Sequence, residues 1–232
     1  MKIAVIPARG GSKRIIKKNI KHFCGKPMIA WSILTAKSAG IFDSIIVSTD
    51  DEEIAEIAKF YGASVPFRRP LSLSGDHSST MEVIEHAVSW HLSNGVNLNF
   101  ICCLYATAPF VRETDLKDGY ETLLREGADF AFPISTYDYP IQRALRLRSD
   151  GRIEMYEPEN FALRSQDLTE AYHDAGQFYW GTKSGWLSGA PILSPKSAPL
   201  FIPRYRVQDI DTEEDWIQAE KLFKILGYHI EN

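Results

Sequence analysis

A chain of 232 residues with 44% hydrophobic and 24% charged residues can form one substantial α/β domain and has the make-up of an ordinary globular protein. Its net charge of −4 argues against a general nucleic-acid surface, and no apolar run approaches the length of a membrane span. No signal peptide is read either, so a cytoplasmic location is expected, with no membrane and no nucleic-acid partner.

Lys2 to Ile6 reads as a buried strand of the parallel kind, apolar without polar alternation. It breaks at Pro7 into Ala8-Arg9-Gly10-Gly11-Ser12-Lys13-Arg14, with Lys17-Lys18-Asn19 behind, placing five cations within ten residues. Lys26 to Lys37 has helical spacing, with Pro27 suited to the first turn and Gly40 closing it, and Ile45 to Asp50 is a second strand. Asp50 is expected to N-cap a helix over Asp51 to Tyr61, ended by Gly62. Asp76-His77-Ser78-Ser79-Thr80 opens a helix over Met81 to Leu92, and Phe100 to Leu104 is a third strand. Thr114 or Asp115 caps a helix to Arg125, and Phe130 to Ile134 is a fourth strand. This βα rhythm implies right-handed parallel crossovers.

From Ser135 to about Ala175 the rhythm lapses into a polar, aromatic, arginine-rich stretch with a hairpin around Asp150-Gly151. An interruption of that length reads as an insertion, suited to a partner surface or a substrate lid. Gly176 to Gly181 returns as a strand, and Glu213 to Leu226 is the final helix. The chain is therefore taken as a single domain, 1–232, with an insertion at about 135–175. Cys24, Cys102 and Cys103 have neither disulfide-framework nor metal-ligand spacing and read as reduced core or near-core thiols.

Two stretches carry chemistry. Gly10 and Gly11 keep the first loop open for an oxyanion that the cations neutralise, although a solvated basic loop has the same composition. Its spacing is neither the P-loop nor the dinucleotide fingerprint. Asp209 and Asp211 share one face of an extended segment and could hold a magnesium ion shared with a substrate's phosphates. The alternative is that Asp211 caps the last helix while Asp209 is solvated. A cationic loop with an acid pair, and without kinase motifs, points to nucleotidyl transfer rather than phosphorylation.

The stretch Ile6 to Arg14 with Lys18-Asn19, followed by Ser48-Thr49-Asp50, Arg69-Pro70, Asp76-x-Ser78-Ser79, Thr107-x-Pro109 and Asp209-Ile210-Asp211-Thr212, resembles the sugar-acid cytidylyltransferases, the CMP-sialic acid synthetase family. The resemblance spans essentially the whole chain. It implies a Rossmann-like nucleotide-diphospho-sugar transferase fold, a mostly parallel sheet flanked by helices, with a dimerisation insertion. It also implies transfer of CMP from CTP to a nonulosonic acid with release of pyrophosphate, Mg²⁺ as cofactor, and a homodimer. Where the family usually reads Gln-Pro-Thr-Ser-Pro, this chain has Tyr105-Ala106-Thr107-Ala108-Pro109. That form, with Tyr139 to Ala144 and Tyr172 to Trp180, is similar to the pseudaminic acid branch of the family.

By the same resemblance Arg9 and Lys18 contact the triphosphate with Lys13 assisting, and together with Asp211 are the expected catalytic residues. Asn19 and the backbone of Ala8, Arg9 and Gly10 face the nucleotide, Arg69 meets base or phosphate, and Ser79 or Thr80 reaches the ribose. Asp209 and Asp211 hold Mg²⁺. Arg143 or Arg164 meets the acid's carboxylate, where two N–H groups suit two oxygens. Gln166, Gln177, Tyr105, Thr107, His173 and Tyr179 complete the sugar pocket. The nucleophile is the acid's own anomeric hydroxyl, and no residue is assigned as general base. The competing readings are another acid (N-acetylneuraminate, legionaminate or 3-deoxy-octulosonate), guanylyl or uridylyl transfer to a hexose phosphate, and a nucleotide-binding homologue without turnover.

Overall fold

The computed structural model describes residues 1–228. In chain order its elements are β1 (Lys2–Pro7), β2 (His22–Phe23), β3 (Lys26–Pro27), α1 (Met28–Ala39), β4 (Ser44–Ser48), α2 (Glu52–Phe60), α3 (Thr80–Ser93) and β5 (Phe100–Leu104). Then follow α4 (Glu113–Glu126), β6 (Phe130–Thr136), β7 (Leu145–Leu147), β8 (Ile153–Met155), β9 (Tyr172–Asp174), β10 (Phe178–Thr182), α5 (Lys183–Leu187), β11 (Ser197–Phe201) and α6 (Glu213–Ile225).

The central sheet runs β11-β6-β10-β5-β1-β4, with β9 added on β6. Strand β1 lies parallel to β4 on one side and to β5 on the other. The chain therefore crosses from β1 outward to β4, then back past β1 to β5. That reversal opens a crevice beyond the carboxyl ends of β1 and β5, where open α/β sheets bind ligands.

The continuous apolar run of β1 is explained by cover on both faces. Ala4 and Ile6 join one core cluster with Ile29, Ile33, Phe178 and Trp180. Ile3 and Val5 join the other with Ile84, Val88, Ile101 and Trp186. A third cluster packs α6 through Trp216 and Phe223 against Phe23 and Met28, with Ile15 and Ile210 in the same group. Each such large side chain is worth about 1.5–3 kcal/mol when buried. The cluster thereby pins the basic loop, which contains Ile15, against the segment carrying Asp209 and Asp211. Cys102 and Cys103 are fully buried in the sheet, where burial pushes both thiols up and leaves them inert.

Four expectations change. Asp51, not Asp50, caps α2, accepting from the Ile54 N–H at 3.1 Å; Asp50 instead accepts from Gly10 N–H at 3.0 Å. Arg112 occupies the N-cap of α4, and Asp115 at the third helical position accepts from its N–H at 2.8 Å. Strand β10 runs antiparallel to both β5 and β6, and the short β9 is likewise antiparallel to β6, while the remaining pairs of the sheet are parallel. Finally, β11 and the short α5 lie between β10 and the last loop, where no regular elements were expected. The hairpin of the insertion is present as β7–β8, with Gly151 at φ +79° in its turn.

Candidate active site

Strand β1 ends by delivering Pro7 and the basic loop to the crevice, and β5 ends by delivering Tyr105, Ala106 and Thr107. Between them lies a cleft of about 240 Å³. Arg9, Lys13, Lys18 and Arg69 line it as cations, and Asn19, Ser79, Thr80, Tyr105 and Thr107 line it as polar groups. Seven residues expected to serve the nucleotide, and Tyr105 and Thr107 expected in the sugar pocket, are thus brought to one cavity although they lie up to 98 positions apart in sequence.

The loop is held by specific bonds. Ala8 N–H donates to Ser48 O at 2.9 Å, which continues the β1–β4 ladder past the strand end. Asn19, almost wholly buried, donates its side-chain amide to Arg9 O at 2.9 Å. Gly10 passes so close to α2 that a Cβ there would lie 2.6 Å from Asp51 Oδ2. Gly11 meets nothing within 4 Å, so only the first glycine is sterically required. Because the N–H groups of Ala8 and Gly10 are already bonded, side-chain cations rather than these backbone donors make the anion site.

Those cations are paired with acids. Asp76 accepts from Arg9 at 2.7 Å and from Lys13 at 2.5 Å, and bonding to Lys13 first and Arg9 second holds its carboxyl below the usual carboxylate range. Lys18 donates to Ile210 O at 2.7 Å and reaches Asp211 Oδ1 at 3.2 Å, while Arg14 pairs with Asp211 Oδ2 at 2.7 Å. Asp211 does not cap α6. Thr212 does, in a capping box with Asp215. Arg14 is the one cleft cation that motif reading left without a role; its place in the five-cation run was the available signal.

Arg69 is 5% exposed, bonded through Nε to Ser48 Oγ at 3.1 Å and through Nη2 to Ser48 O. Among the described residues it makes no ion pair, and its burial rules out a surface pair. Burial lowers its guanidinium to about 10, still cationic at neutral pH. A desolvated cation bordering a cleft favours an anionic or electron-rich ligand group.

Asp209 is pushed up, first by partial burial and then by the charge of Asp211, with Lys18 acting in the opposite sense. Two carboxylates that repel one another beside a lysine are suited to a divalent cation, which relieves that repulsion. No group of three or more His, Cys, Asp or Glu side chains converges among the described residues. A magnesium ion here would accordingly rely on phosphate oxygens and water for its remaining ligands, as this hard cation commonly does.

The expected sugar-acid residues are not gathered in the same way. Tyr105 lines the cleft; Tyr179 is buried behind it, rings 5.6 Å apart. Gln177 is 4% exposed and spends its side-chain amide on Arg206 O at 2.7 Å, so it acts as an internal brace and not as a pocket wall. Arg206 in turn forms a buried two-pronged pair with Asp115 at 2.7 and 3.0 Å, a strut just ahead of Asp209. His173 packs on Tyr137 and, with it and Arg204, lines a separate depression. Arg143 bonds Ser165 Oγ at 3.2 Å and Leu163 O, within the insertion. Gln166 lines another hollow of the insertion with Tyr137 and Gln142, and Arg164 is exposed beside it. None of these last four reaches the cleft of its own chain.

A reversed strand in a parallel sheet, a cleft at the switch point and a ring of cations define a nucleotide-binding α/β protein. The sequence profile described as "Cytidylyltransferase" matches residues 3–226. A pseudaminic acid cytidylyltransferase of Campylobacter jejuni subsp. jejuni is 45% identical over 223 residues, 96% of either chain. N-acylneuraminate cytidylyltransferase B of Danio rerio is 32% identical over 97% of this chain and 52% of its own length. The structure of a CMP:2-keto-3-deoxy-manno-octonic acid synthetase complexed with CTP superposes with a TM-score of 0.71, covering 97% of this chain and 99% of the other at 16% identity. That identity speaks to the fold alone. The chain belongs to the cytidylyltransferase family.

Proposed function

We propose that this protein transfers CMP from CTP to the anomeric hydroxyl of pseudaminic acid, releasing pyrophosphate and giving CMP-pseudaminic acid. The observation that carries the choice of acid is the 45% identity across 96% of both chains to relatives bearing that activity. Tyr105 in place of the family's usual glutamine points the same way, away from N-acetylneuraminic acid. The reaction takes place in the cytoplasm, where CTP is made.

In this reading Arg9, Lys13 and Lys18 take the triphosphate. Asp76 and Asp211 already pair with these cations, so the incoming phosphates replace the carboxylates as their partners. Fixed cations of this kind stabilise charge as it moves to the departing pyrophosphate, and they need no reorganisation to do so. Arg69 faces base or phosphate, Asn19 keeps the Arg9 carbonyl in place, and Ser79 or Thr80 meets the ribose. Asp209 and Asp211 would hold Mg²⁺, which neutralises the triphosphate and polarises the α-phosphoryl group. The nucleophile is the substrate's hydroxyl, attacking the α-phosphorus in line, and the P–O bond to pyrophosphate breaks as the new one forms.

The insertion completes the site as a homodimer. Tyr139 and Phe161 are 84% and 76% exposed, with Leu147, Ile153 and Tyr156 also exposed on the same stretch. An apolar, arginine-bearing surface of this kind suits a two-fold contact between copies of the chain. Such a contact would carry Arg143 or Arg164 to the acid's carboxylate in the partner's cleft. Pyrophosphate release at fixed CTP and Mg²⁺, measured across pseudaminic, legionaminic, N-acetylneuraminic and 3-deoxy-octulosonic acids, tests the assignment. The highest kcat/KM is expected with pseudaminic acid; a higher value with any other acid would overturn the choice of acceptor.

A further inference from the structure

Two acids hold four of the cations that line the cleft. Asp76 is shared by Arg9 and Lys13, and Asp211 by Lys18 and Arg14. The two cations on Asp211 are held in different ways. Lys18 reaches Oδ1 at 3.2 Å, has a second anchor in Ile210 O at 2.7 Å, and its side chain is 20% exposed. Arg14 reaches Oδ2 at 2.7 Å, its side chain is 68% exposed, and among the described residues Asp211 is its one ion-pair partner.

Packing next door brings Arg14 to this place. Ile15 and Ile210 are each 1% exposed and share one core cluster with Trp216. Arg14 precedes the first and Asp211 follows the second, so the backbones of both are anchored at the cleft while the guanidinium stands in solvent. Exposed ion pairs are weak, and a more highly charged partner displaces them. A triphosphate is such a partner, and its oxygens match the planar fork of a guanidinium. In the function proposed above Asp211 also serves Mg²⁺, for which Arg14 must give up Oδ2. Lys18, tied to Ile210 O as well, need not move.

We infer that Arg14 is a further triphosphate-binding residue of the cleft: Asp211 holds its guanidinium until the nucleotide arrives, and it then passes to the phosphate oxygens. This rests on the function proposed above. Arg14 thereby joins Arg9, Lys13 and Lys18, and the pair it makes with Asp211 is a resting contact. The competing role for Arg14 is to neutralise Asp211 without touching the ligand.

The test is the Kd of CTP by calorimetry in EDTA, which takes metal out of the readout. Arg14→Gln is expected to raise Kd about tenfold, the scale of a hydrogen bond to a charged group. Arg14→Lys, which keeps the charge, should stay within about threefold of wild type. Lys17→Gln is the control for the general field of the loop. Lys17 is 59% exposed, pairs with Glu53 and lies outside the cleft lining, so its loss should change Kd by less than about twofold. Equal effects of Arg14→Gln and Lys17→Gln would overturn the inference. A double-mutant cycle with Asp211→Asn separates the two roles of Arg14. If the guanidinium meets phosphate, Arg14→Gln should raise Kd at least as much in the Asp211→Asn protein as in wild type. Disappearance of the effect there would reduce Arg14 to a neutraliser of Asp211 and overturn the inference. Wild-type protein that binds no CTP would remove the proposed function; CTP bound equally by wild type and Arg14→Gln would remove only the role of Arg14.

Discussion

The cleft and the insertion handle polar chemistry by opposite means. The cleft sits at the ends of strands covered on both faces, and its key groups are secured by neighbours: Arg69 by Ser48, Asn19 by Arg9 O, Lys18 by Ile210 O and Asp211. Every cation there except Arg69 has a carboxylate within ion-pair distance. Within the insertion the three-residue strands β7 and β8 pair only with each other, and many of its aromatic and aliphatic side chains face solvent. Its pairs, such as Arg146–Glu154 and Arg148–Asp150, are exposed and contribute little to stability. One region is finished within the chain. On the reading proposed above, the other is finished by a second copy.

That contrast predicts where substitutions act, and the largest effect belongs to Asp211. Asp211→Ala should lower kcat by about 10²–10³-fold while the thermal midpoint stays close to wild type, because Thr212 and Asp215 cap α6 without it. A loss of stability equal to that of a removed cap, with turnover retained, would return Asp211 to a structural role. The strut behind the cleft comes next. Arg206→Ala leaves Asp115 buried without its partner and should cost about 3–5 kcal/mol in denaturant unfolding. A cost below about 1 kcal/mol, the range of an exposed pair, would show that the cleft floor is not built this way.

The insertion is probed by mixing two inactive proteins. If Arg164 serves the partner's cleft, Arg9→Ala and Arg164→Ala homodimers, unfolded and refolded together, should recover a fraction of wild-type turnover in the mixed dimers. Mixtures no more active than their components would confine Arg164 to its own surface. The smallest effect is expected at Asp76. Asp76→Asn weakens the carboxylate that competes for Arg9 and Lys13, and KM for CTP should fall by about two- to fivefold, the scale of an exposed ion pair. A rise in KM would mean that Asp76 itself contributes to binding.

Much of this architecture was legible because local signals agreed with the fold. The β1 run, Gly40 at the end of α1 and the opening of α3 by Asp76 to Thr80 were each readable from local residues, and the structure singles out Ser79 as the cap. The misplaced cap of α2 shows where local signals stop. Asp50 and Asp51 are equally good caps in isolation, and the choice is made by Gly10, forty residues earlier, whose N–H takes Asp50. The direction of β10 was also hidden. A strand's sequence pattern reports cover, while its direction depends on which end the insertion returns the chain to. Strand β11 was obscured by Pro199, which its place at the edge of the sheet tolerates.

At the cleft, the cations and the acid pair were readable from residue type and spacing. What each touches was not. Gln177 has the chemistry of a sugar ligand, yet its amide is buried against Arg206 O. Asp174 sits beside a histidine that draws more notice, but it is Asp174 that holds Tyr179. Such choices depend on packing between β9, β10 and the loop ahead of α6, which no local pattern encodes.

The account turns on one claim, that Arg9, Lys13 and Lys18 hold the triphosphate in place of Asp76 and Asp211. A crystal structure with CTP tests it most directly. The phosphates are expected against these three side chains, with the Arg9–Asp76 and Lys13–Asp76 contacts broken. A triphosphate bound elsewhere, or bound with both Asp76 contacts intact, would contradict it.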